Sequence, residues 1–151
     1  MVDRFVSGPI ELAPAITSGD YARADLIFDG VDRSLASYEA RIYINAPEAE
    51  LATGRNDPAY AGSFHIFGHG GCFGDLGHCD VPTEPRAAFD LRGPHQLIPA
   101  TKVVIVTDAL KRTVSTAADK SSITVTVVVA AAGKPSNEYL LFRQLRLLTY
   151  R

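Results

Sequence analysis

Hydrophobic and polar positions alternate with a period of two in several stretches of this chain. In residues 38–45, Tyr38, Ala40, Ile42 and Ile44 fall on one face and Glu39, Arg41, Tyr43 and Asn45 on the other. That pattern predicts a half-buried strand. Residues 122–130 repeat it, with Ile123, Val125, Val127 and Val129 inward and Thr124 and Thr126 outward, and their β-branched side chains suit a pleated surface. Residues 102–108 form a continuous apolar run, which predicts a more central strand. Further strands are expected at 24–31, 62–68 and 87–93. Residues 4–12 read as an edge strand, because Pro9 cannot donate to a ladder. The last stretch, 138–150, sets Leu141, Leu145 and Leu147 among arginines on neither period, and reads as a long final strand. The best helix candidate is one or two turns after Asp108.

Turn-rich pieces carrying Pro, Gly and Asn separate these segments. Seven or eight strands with almost no helix predict an all-β fold: an antiparallel β-sandwich in jelly-roll or Greek-key order. The 151 residues fit one domain spanning 1–151. A chain of that length buries about 68–70% of its unfolded surface, so it needs no covalent staple.

Charge narrows the partners. With a net charge of −2 and a pI near 6.0, the chain lacks the basic face that nucleic acid or an anionic membrane requires. No apolar run reaches the roughly 18 residues of a spanning helix. The start, MVDRFVSGPIEL, has no leader-like apolar core, so the expected location is cytoplasmic. Two cysteines are too few for a disulfide scaffold, and in a reducing compartment thiols or metal ligands are expected over a permanent bridge.

The chemistry concentrates in FHIFGHGGCFGDLGHCD, residues 64–80. It holds His65, His69, Cys72, His78 and Cys79, and His95 follows nearby. Imidazoles and thiolates are the ligands that zinc and copper select, and five glycines let the backbone fold back on itself. The spacing is irregular: there is no paired C-x-x-C. His65 and His69 stand four apart on strand and turn, where that spacing does not align two ligands. His78 and Cys79 are neighbours that a strand would point to opposite faces. Three readings stay open: a bound metal, a Cys72–Cys79 disulfide closing a hairpin loop and contributing about 2–3 kcal/mol, or neither. With three ligands on zinc or copper and one open position, the chain would be a small metalloenzyme, with His65 or His95 as base. No nucleophile elbow and no phosphate loop accompanies the segment.

Over residues 20–130, the series DYARADLIFDGVD, YEARIYINAPEA and AYAGSFHIFGHGG resembles the β-rich carboxy-terminal domain of tyrosinase-like type-3 copper proteins, which mollusc hemocyanin units also carry. Its most specific part is Ala61-Gly62-Ser63-Phe64 through Gly68, matching A-G-x-F-x-[IV]-[LF]-G. The resemblance implies a sandwich that packs over a separate helical dicopper domain and protects or regulates it. It does not imply dicopper oxidation by this chain, since such a centre takes six histidines and only four are present. In such proteins a β-domain loop residue can plug the copper entrance; here Phe73 and Leu76, flanked by glycines, are the candidates, the alternative being that Phe73 folds back onto its own sheet, as apolar loop residues commonly cover their own core. The partner expected is therefore a type-3 copper domain, which the chain would shield or help to load with copper through its cysteines and histidines. The alternatives are the small metalloprotein and a structural β-domain that self-associates through exposed strand edges, its apolar tail in the interface.

Overall fold

The computed structural model describes residues 4–70, 74–91, 95, 97–132 and 139–151. Among them the chain forms nine strands: β1 (Arg4–Val6), β2 (Ile10–Glu11), β3 (Arg23–Val31), β4 (Tyr38–Ile44), β5 (Tyr60–Ile66), β6 (Ala100–Ile105), β7 (Ser122–Ile123), β8 (Val125–Ala131) and β9 (Gln144–Tyr150). The helices are α1 (Pro14–Thr17) and α2 (Thr107–Thr116), with a 3₁₀ turn at Leu51–Thr53. The fold is all-β and antiparallel. A four-stranded sheet runs β1-β8-β4-β5, a three-stranded sheet β6-β3-β9, and β2 pairs with β7.

Alternation builds the core as the sequence predicts. Ala40, Ile42 and Ile44 of β4, Val127 and Val129 of β8, and Leu26 and Phe28 of β3 turn inward and join one buried cluster. An aromatic chain links the sheets: Phe5 lies 4.9 Å from Phe142, Phe142 5.4 Å from Phe28, and Phe28 5.1 Å from Phe64 between ring centroids. Such edge-on pairs add to simple area burial. Helix α2 stands where a short helix was expected but begins at Thr107, before Asp108, and runs ten residues; it has Asp108 in its first turn and buries Ala109, Leu110 and Val114. Arg112 fastens it by donating to the carbonyls of Pro58 (3.1 Å) and Tyr60 (3.3 Å).

Several expectations change. Residues 102–108 do not form a central strand: β6 is an edge strand, β3 is the central one, and Val103 and Ile105 are exposed. The strand expected at 87–93 is absent over its described part, 87–91, where a turn stands instead, with Asp90 N–H donating to Ala87 C=O at 2.9 Å. Phe89 and Leu91 alternate correctly, but no sheet edge is there to pair with them. Tyr43 and Thr126 point away from the main core yet are fully buried. The connection 45–59 folds over that outer face, so Tyr43, Ala49 and Val128 form a second cluster. Tyr43 donates its hydroxyl to Gly54 C=O at 2.9 Å. Gly8-Pro9 splits the expected first strand into β1 and β2, and a break at Thr124 separates β7 from β8.

Gly62 marks where the sheets close on one side. Its φ of 142° suits glycine, and a Cβ there would come within 2.7 Å of Val104 Cγ1. Edge strands β5 and β6 thereby meet. No described helix is long and apolar enough to cross a membrane.

Candidate functional site

The connection from β5 to β6, residues 67–99, carries the cysteine–histidine segment. Its described residues form no helix or strand, and a connection of that length is uncommon in a compact domain. Both of its stems are pinned to the β3–β4 turn. At the entry, Gly68 N–H donates to Ser37 Oγ (3.1 Å), His69 N–H to Arg33 C=O (2.9 Å) and Gly70 N–H to Leu35 C=O (2.8 Å). A Cβ on Gly68 would fall 1.9 Å from Leu35 O, so glycine alone permits this approach. At the exit, the Arg33 guanidinium donates to Ile98 C=O from Nη2 (2.7 Å) and Nε (3.0 Å). One residue thus holds both stems: the Arg33 carbonyl takes the entry and its side chain the exit. The sequence offers no signal for this role, because it rests on residues 36 and 65 positions away.

Between the stems the chain turns on its glycines. His78 N–H donates to Asp75 C=O at 3.0 Å, with Gly77 third in that turn at φ 84°. A positive φ at that position is what a type II turn demands. The turn leaves Leu76, its second residue, fully exposed. Phe67, Phe89 and Leu91 of the same connection keep 87, 88 and 94% of their surface accessible. Four exposed apolar side chains thus fall in this one connection. A concavity of about 800 Å³ lies beside Phe89 and Leu91, lined also by Pro82, Arg86, His95 and Ile98, among others.

The candidate ligands are distributed as follows. His65 lies on β5, exposed, opposite Glu39 in register on the outer face of the four-stranded sheet. His69 is exposed at the loop entry. His78 is exposed, its ring beside Gly74, where a Cβ would stand 2.7 Å from His78 Cδ2. His95 is half-buried: Nδ1 accepts Leu97 N–H at 3.2 Å and Nε2 lies 3.3 Å from His78 C=O. Those partners require the proton on Nε2. His78 and His95 are thus joined through a backbone carbonyl. Cys79 is disulfide-bonded; the chain's other cysteine, Cys72, and Phe73 lie outside the described residues. Among the described residues, no group of three His, Cys, Asp or Glu side chains is placed to hold a metal ion. For Cys79 and His95 to ligate zinc or copper, the disulfide must open and the His95 ring must release Leu97.

The outer face behind His65 is occupied by charge pairing. Glu39 is nearly buried and meets Arg41 Nε at 3.1 Å and Arg55 Nη2 at 2.5 Å. Burial works to raise its carboxyl, but the two guanidiniums outweigh it and hold the group below its ordinary value.

No protein-family model matches the sequence, and no curated protein matches it significantly. Solved structures do share the fold. Latent aurone synthase (polyphenol oxidase) from its natural source superposes with a TM-score of 0.56 at 14% identity, over 98% of this chain and 24% of that one. The recombinantly expressed latent enzyme gives 0.55 at 13% identity over the same shares. The chain therefore spans about a quarter of the length of these neighbours.

Proposed function

We propose that this chain is a non-catalytic accessory domain that associates with a tyrosinase-like type-3 copper polypeptide and covers its site with the 67–99 connection. The observation that carries the reading is Leu76, held wholly in solvent on a turn whose loop is pinned at both stems by Arg33. An exposed leucine on a flexible loop would cost binding free energy when ordered. On an anchored loop much of that cost is met during folding. Leu76 would enter the apolar mouth above a copper pair and exclude water and substrate. Phe67, Phe89 and Leu91 would pack around that mouth. The fold shared with about a quarter of a polyphenol oxidase described as latent supports the same reading, since latency needs a part that restrains the rest.

The test is an activity measurement. The type-3 copper polypeptide encoded with this chain, in the same reading frame or a neighbouring one, is assayed for diphenol oxidation with and without it. The reading expects little activity in the complex. Leu76→Asp, which places a charge in an apolar mouth, is expected to restore activity by at least tenfold while the domain stays folded. Equal activity with and without the domain would refute it.

A further inference from the structure

Among the described residues, the four edges of the two larger sheets are treated unequally. β1 has only three residues and runs into Gly8-Pro9. β5 and β6 meet each other at Gly62 and Val104, and the pairings that join them to their sheets are bulged, between Ile42 and Tyr43 and between Phe28 and Val31. β9 has none of these protections. Its seven residues pair with β3 in unbroken register from Arg23↔Tyr150 to Asp29↔Gln144. It contains no proline, and among the described residues no strand pairs with its other side. On that side the sandwich is open, with a groove of about 480 Å³ between Ser7–Ile10 and residues 140–145. An unprotected edge of this length is a template for another strand.

We infer that β9 pairs antiparallel with β9 of a second copy about a two-fold axis at Leu147, joining two three-stranded sheets into one of six strands. The sequence of β9 is suited to itself. With the axis at Leu147 all seven residues overlap: Gln144 meets Tyr150, Leu145 meets Thr149, and Arg146 meets Leu148. Each residue stays on its own face, because the register shift is even. No like charges meet within the paired residues, whereas an axis at Arg146 would oppose two arginines directly. The outer face gains as well. Val103, Ile105, Leu148 and Tyr150 are exposed there around the buried Ile27. The two-fold brings Leu148 of both copies beside the axis, and Arg146, already held by Asp29 at 2.7 Å, lies against the partner's Leu148, while Tyr150 lies at each end of the pairing. This surface is separate from the 67–99 connection.

Sedimentation equilibrium of the full chain over a range of concentrations tests the pairing. The mean mass is expected to rise from 16.2 kDa toward twice that value. Leu148→Arg sets arginines opposite each other twice and is expected to weaken the dimer at least tenfold. Leu148→Glu sets a carboxylate opposite each Arg146 and is expected to tighten it severalfold. A wild-type mass fixed at the monomer overturns the inference, as does a change in the same direction for both variants. If either variant fails to fold, amide exchange in wild-type residues 144–150 decides: exchange that slows with protein concentration supports the pairing, and exchange independent of it refutes it.

Discussion

Two irregular connections leave the ends of β5, and they do opposite things with their apolar residues. The connection 45–59 folds back over the outer face of the four-stranded sheet, where Ala49, Tyr43 and Val128 are buried together and Ala46, Ala59 and Tyr60 pack around them. The connection 67–99 is pinned just as firmly at its stems, yet it holds Phe67, Leu76, Phe89 and Leu91 in solvent. The first connection completes the domain's own core. The second is anchored at its stems but leaves these side chains unburied.

The largest effect expected from breaking this contrast is at Tyr43. Tyr43→Ala removes a fully buried ring, its contact with Tyr60 at 5.7 Å and the hydrogen bond to Gly54. It should cost about 3–5 kcal/mol in denaturant unfolding. A smaller effect is expected at the disulfide. Without reductant, thiol titration should find neither cysteine free. Reduction should lower stability by about 2–3 kcal/mol at most, for a loop of this size. Next comes Arg33→Ala, which removes the charged donor to Ile98 and should cost about 1.5–3 kcal/mol, with faster amide exchange at the described ends of the 67–99 connection and unchanged protection in β4 and β8.

Acid should weaken the ion pairs on the outer faces of the two larger sheets. Glu39 titrates below its ordinary 4.5 when folded, so the stability it contributes is present above that value and is lost as pH falls through the lower folded one. Asp29, held down chiefly by its hydrogen bond from Arg146, behaves likewise below 3.8. A stability–pH profile of Glu39→Gln should therefore be flatter than wild type below about pH 4.5. The smallest effect is at Leu76. Leu76→Ala should leave unfolding within about 0.5 kcal/mol of wild type, because the side chain touches nothing it could lose. A large loss there would erase the contrast between the two connections.

Much of the sandwich was legible because period-two alternation survives wherever one face is buried and the other wet. β4 and β8 are of this kind, and the helix after Asp108 was equally visible. The misreadings share a cause: position in the sheet is decided by partners far along the chain. The apolar run of β6 implies burial on both faces, but β6 ends at an edge with Val103 and Ile105 uncovered. Phe89 and Leu91 carry a strand's alternation without a strand to pair with. Tyr43 reads as an outward residue because its cover, residues 45–59, is recognisable only once folded. In the candidate site, the glycines around Leu76 announced a tight turn with an apolar tip, and Gly77 at positive φ accounts for it. Arg33, which anchors that turn's loop, was invisible, since one arginine in a turn carries no pattern.

The most direct measurement is amide exchange of the domain alone and in the presence of the type-3 copper polypeptide proposed as its partner. The account predicts that residues 74–91 become protected on association while 46–59 exchange as before. Protection confined to 46–59, or none in 74–91, would contradict it.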